Sequence, residues 1–114
     1  MIEIDLLNHL GENVSSVNGR VFANIMHQNT QKPALVYTVT REEISGGIKC
    51  VDSNKRDRDW VIYIYSDRYI EAKEIKNEVA DALRSFQHVV KNIIAEDGFD
   101  EEAELFVQII TFKT

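Results

Sequence analysis

Three histidines (His9, His27, His88), one cysteine (Cys50) and a dense run of carboxylates from Glu96 to Glu104 have the most capacity for metal or acid–base chemistry here. A catalytic centre needs a nucleophile beside a base, paired carboxylates at a strand end, or metal ligands at fixed spacing. The histidines fall in three separate elements with no ligand spacing between them, so surface or half-buried imidazoles explain them better than a metal or catalytic role. Cys50 stands alone, which rules out an intramolecular disulfide and a cysteine pair for zinc. Asp97-Gly98-Phe99-Asp100-Glu101-Glu102 is oxygen-rich enough to suggest calcium. It lacks the alternating acids before a glycine and the twelfth-position glutamate, and reads as a solvated loop between strands. The glycines, Gly11, Gly19, Gly46, Gly47 and Gly98, form no phosphate cradle. No catalytic, cofactor-binding or metal-binding residue emerges, and the chain reads as a non-enzyme.

Charge narrows the partners. The net charge of −6 comes from one segment, because six acids and no base lie between Glu96 and Glu104 and the rest of the chain balances. Affinity for nucleic acid depends mainly on neutralising phosphates, so an acidic chain without a basic stripe is a poor duplex binder. At 114 residues and 44% hydrophobic, residues 1–114 are long and apolar enough for one domain with its own core. The start, Met1-Ile2-Glu3-Ile4-Asp5, is acidic where a secretory leader would be basic, and no apolar run approaches a membrane span. A cytosolic site of synthesis is expected.

The elements that would position these side chains follow from periodicity. Leu6, Leu7 and Leu10 make a one-sided helical stripe, with Gly11 as its expected stop. Asn18-Gly19 signals a turn into a short strand, Arg20 to Ile25. Pro33, which cannot donate to a ladder, opens a second strand at Ala34. Trp60 to Tyr65 is the third, with high β-propensity throughout, and Ile48 to Val51 could add a brief strand before it. Asp67 is the expected cap of a long helix from Tyr69 to about Phe86, whose Ala72, Ile75, Val79, Ala82, Leu83 and Phe86 recur at helical spacing. His88 to Ala95 favours a strand, and Leu105 to Phe112 alternates as a closing one.

Runs of strands set between helices indicate an α+β fold: a mixed or antiparallel sheet of four to five strands with two helices packed on it, in the order αβββαββ. The connection from Arg41 to Asp59 mixes Gly46-Gly47 with many charges. It suits either an ordinary hairpin tip or an exposed loop ordered by a partner.

The order of elements, with Asn18-Gly19-Arg20-Val21-Phe22 ahead of the Pro33-opened strand and Trp60 to Tyr65 ahead of the long helix, resembles the tail-completion proteins (tail terminators, minor tail proteins) of long-tailed phages and prophages. The resemblance implies a non-catalytic structural protein that forms a ring of copies, a hexamer. Such a ring caps the tail tube, ends its polymerisation and presents a surface to the head-completion protein. DNA would pass through without specific binding, and the protein would sit in the host cytoplasm during assembly and then in the virion tail, away from membranes. It places Gly19, Arg20, Pro33 and the strands from Trp60 and Leu105 in the scaffold. Arg41, Lys49, Lys55, Arg56 and Arg58 are the candidate contacts to neighbouring subunits or tube. The rival is a small ligand-binding or regulatory α+β domain, and a third reading is a minor enzyme subunit. Converging buried polar groups would separate the rival from an assembly protein, and the apolar faces offer mainly Tyr37, Tyr63 and Tyr65.

Overall fold

The computed structural model describes residues 2–17, 19–24, 32–44 and 56–114, with the side chains of residues 2, 43, 44, 56 and 57 excepted. Helix α1 (Ile2–Asn13) leads through a short 3-10 turn to β1 (Val21–Ala23), β2 (Ala34–Ile44), β3 (Arg56–Ser66), helix α2 (Tyr69–Arg84), β4 (Lys91–Asp100) and β5 (Leu105–Lys113). The five strands form one sheet in the order β1-β2-β3-β5-β4. β1 runs parallel to β2 and every other pair is antiparallel, so the sheet is mixed and the α+β order αβββαββ holds.

Strand register decides which residues share a face. Tyr37 lies beside Ile62, Ile62 beside Ile110, and Trp60 beside Phe112. Successive strand residues point to opposite faces, so these belong to one side. On that side Ile75, Val79, Ala82, Leu83 and Phe86 of the α2 region join Leu35, Tyr37, Trp60, Ile62, Ile64, Ile110 and Phe112 in one buried cluster. Trp60 and Phe112 stack with ring centroids 5.8 Å apart, and the Trp60 indole N–H donates to Thr114 Oγ1 at 2.9 Å. The periodicity of α2 therefore marks its buried face correctly.

Helix α1 adds Leu6 and Leu10 to the same cluster, and the segment that follows, with its 3-10 turn, brings in Val14 and Val17. The helix continues through Gly11 to Asn13, because Leu10 and Val14, one turn apart, are both fully buried and that packing outweighs the intrinsic cost of a helical glycine. His9 Nε2 lies 2.6 Å from the Ala82 carbonyl, and since a carbonyl only accepts, this nitrogen carries the proton. The bond ties α1 to the C-terminal end of α2, at a carbonyl that also accepts from the Ser85 N–H and hydroxyl.

Further boundaries differ from the sequence expectation, and β1 is Val21–Ala23, without the Arg20 and Asn24 expected in it. Arg41 to Ile44 and Arg56 to Asp59, expected in a loop, continue the β2–β3 ladder as far as Ile44 opposite Arg56, past a register shift between Val39 and Arg41. β4 starts at Lys91 rather than His88 and runs to Asp100, so Glu96 to Asp100 are strand rather than loop, and the connecting turn is only residues 101–104. The acids tolerate a strand because β4 is an edge whose side chains reach water. The residue capping α2 is Arg68, without a side-chain bond; the role expected of Asp67 goes to Ser66, whose hydroxyl accepts from the Arg68 N–H at 3.1 Å and donates to Glu71 at 2.7 Å. Helix α2 ends at Arg84, with Phe86 buried just beyond it. Ile25, His27, the segment Ile48 to Val51, Cys50 and the Gly46-Gly47 pair lie outside the described residues.

Leu83 is 1% exposed at the centre of this contact. Leu83→Ala is expected to lower stability by roughly 2–5 kcal/mol, read as a shift of the urea midpoint at constant slope. A loss of only a few tenths would mean that this face is not the core.

Candidate functional site

Among the described residues both helices pack on one side of the sheet. Its other face is built from the alternate positions of the same strands: Phe22, Val36, Val61, Tyr63, Tyr65, Val107 and Ile109. An antiparallel sheet with one wet face ordinarily puts polar residues there. Here most positions are aliphatic or aromatic, although Thr38 and Thr111 flank Val61 on the same face, and Tyr63 and Tyr65 lie with ring centroids 6.3 Å apart and planes at 25°. Where β4 and its turn border this face there is an open groove of about 530 Å3, floored by Tyr63, Tyr65, Val107 and Ile109 and walled by Gly98, Asp100 and Glu102. Burial pushes the Tyr65 phenol up, and the Asp100 carboxylate adds to the effect.

A second groove of about 500 Å3 opens at the far end of the sheet between Thr40, Asp59, Asn92, Ile94 and Lys113. It exists because β4 slips register between Lys91 and Ile94, with Asn92 at φ 55°, and leaves the end of β5 partly uncovered. Trp60 and Phe112 line its inner wall. Beyond this groove β2 and β3 run past the last β3–β5 register pair, Asp59 with Lys113. That extension carries the candidate contacts Arg41, which is exposed, Arg56, and Arg58, whose guanidinium lies 3.5 Å from Glu42. Lys49 and Lys55 lie outside the described residues.

The acidic segment divides. Asp97 points to the helix side, where its Oδ1 lies 3.0 Å from Lys73 Nζ and its Oδ2 accepts from the Tyr69 hydroxyl at 3.0 Å. Lys73 in turn sits 5.5 Å from the centre of the Tyr69 ring. The Lys73 ammonium, then the nearby Gln108 amide, then Tyr69 hold the Asp97 carboxyl below its ordinary value. Gln108 is 1% exposed and neither of its amide atoms makes a hydrogen bond, so the Lys73 pair is the firmer cause and Gln108 acts only through its nearby dipole. Sequence reasoning missed Gln108, although one polar residue in an alternating apolar strand was the available signal. Glu101, Glu102 and Glu104 remain exposed on the turn.

The three tyrosines do not converge. Tyr37 is in the helix-side core, whereas Tyr63 and Tyr65 are on the bare face. His9 and His88 both pack against Phe86, at 5.2 and 5.1 Å between ring centroids, and His88 Nε2 lies 2.9 Å from Asp5. Among the described residues no group of three or more His, Cys, Asp or Glu could hold a metal ion, and no helix is long and apolar enough to cross a membrane.

No protein-family model matches the chain, and no curated protein sequence matches it. Among solved structures, it is similar to a chain in the virion of a native gene transfer agent particle, at a TM-score of 0.63 and 15% identity. The match covers 95% of this chain and 88% of that one. At this identity the likeness is one of fold.

The Asp97 pair gives a pH dependence of definite sign. The unfolded carboxyl titrates near 3.8 and the folded one lower, so the pair adds stability above that range and loses it as pH falls through the folded value. The expected result is that Asp97→Asn shrinks the fall in melting temperature between pH 6 and pH 3. An unchanged fall would show that the pair is not formed in solution.

Proposed function

We propose that this chain is a structural protein of a phage-like particle: a tail-completion protein that caps the tail tube, ends its polymerisation and provides the head-joining surface, without catalysis. The observation that carries the proposal is the likeness of fold, over 95% of the chain, to a chain of a gene transfer agent virion. The resemblance in element order points the same way. The half-buried apolar and aromatic side chains on the sheet face away from the two helices support assembly, since such a face can be covered by a partner. Copies of the chain form a ring, a hexamer, on the tail-tube protein, and the head-completion protein docks on the ring. Arg41, Arg56 and Arg58 on the extended β2–β3 ribbon, with Lys49 and Lys55 in its connection, are the proposed contacts to neighbouring subunits or tube. The protein gathers in the host cytoplasm during assembly and ends in the virion tail.

The net charge of −6 suits a ring through which DNA passes without being held, because a basic lumen would bind duplex by releasing its counterions. Two measurements test the proposal. Titration of fluorescent duplex at two salt concentrations should show no measurable affinity near physiological salt; tight, salt-sensitive binding would rule out the non-gripping channel. In a tube-polymerisation assay the purified protein should end growth at the tube tip, and tubes of unregulated length in its presence would overturn the terminator role.

A further inference from the structure

We infer that the groove over Tyr63 and Tyr65 is a docking site for an arginine-bearing extended segment of a partner protein. Three features of the groove select that occupant. Its floor is aromatic and aliphatic, formed by the paired tyrosine rings with Val107 and Ile109. Its wall is acidic: Asp100 Oδ1 accepts from the backbone N–H groups of Glu102 and Ala103 at 3.1 and 3.2 Å, which fixes a turn carrying Glu101 and Glu102. No base among the described residues pairs with either glutamate. A guanidinium matches both surfaces at once, since its weakly hydrated plane stacks on aromatic rings while its edge donates to carboxylates. An ammonium is more strongly hydrated and stacks less well.

The third feature is the neighbouring edge. β4 is the last strand of the sheet, and beyond its slip at Lys91 to Ile94 it carries no proline or lysine to guard its outer backbone groups. An extended segment can pair with that edge while its side chains reach the groove. A second copy of this chain is the weaker occupant, because each copy carries a net charge of −6 and would bring like charge to the acidic wall. Gly98 keeps the groove open: a Cβ there would lie 3.5 Å from Ile109 Cδ1, an ordinary contact, and anything larger would project over the floor. Its φ is not positive, so the backbone accepts a side chain.

The test uses the full chain and a short labelled peptide alternating arginine with threonine, titrated by fluorescence anisotropy at near-physiological salt. The arginine peptide is expected to bind, and replacing arginine by neutral citrulline should weaken it about tenfold. Glu101→Gln with Glu102→Gln, both on the exposed turn, should weaken binding by a similar factor at unchanged unfolding temperature. Gly98→Val should abolish it by filling the groove without removing a charge or a ring. Equal affinity for the citrulline peptide, or unchanged affinity in Gly98→Val, would overturn the inference. Self-association in sedimentation that Gly98→Val removes would assign the groove to a second copy and overturn the occupant. That the partner belongs to the same particle rests on the assembly reading. Peptide binding with failed length control sinks only that reading, and length control without peptide binding sinks only this one.

Discussion

Ile75, Val79 and Leu83 of α2, with Phe86 just past its end, press on Ile62, Ile64 and Ile110 of the two central strands, and this contact fixes almost everything else in the domain. It sets which face of the sheet is interior, and therefore which alternate residues of β3 and β5 must be large and apolar. Among the described residues α1 is seated on α2, through its own apolar stripe and the His9 to Ala82 bond, and on the edge strand β1. Helix α1 would be marginal in isolation at its length, so tertiary packing is what holds it.

The same contact leaves the opposite face uncovered by either helix. Ala34, Val36, Leu105 and Val107 are nonetheless buried there, shielded in part by ring-bearing neighbours such as Tyr63 and Tyr65 on the pleated surface. A sheet of this kind satisfies its own backbone and hides much of its apolar area, yet keeps aromatic rings on this face and an edge strand. Folding has no further use for either feature.

Charge is arranged around that division. Asp97 is spent internally, tying the edge strand β4 to α2 through Lys73 and Tyr69. Glu101, Glu102 and Glu104 project from the turn instead, and together with Glu96 they account for much of the acidic excess. Glu96 and the turn glutamates thus make this end of the sheet acidic.

How far the sequence reached can be judged residue by residue. The helical spacing of Ile75, Val79 and Leu83 and the alternation through Trp60 to Tyr65 were enough to specify the element order, the fold class and the buried face of α2, because periodicity records which side of an element meets the core. What the sequence left open was decided between elements distant in the chain. Glu96 to Asp100 read as loop because acids are poor strand formers, and only the ladder to β5 made them an edge strand. Gly11 read as a stop until packing carried the helix past it. Tyr37 could not be told from Tyr63 and Tyr65 by residue type, yet strand pairing sends it to the core and the other two to the bare face. A groove or a free edge is a relation between strands, so only the tertiary structure could bring Tyr65, Gly98 and Glu102 to one place.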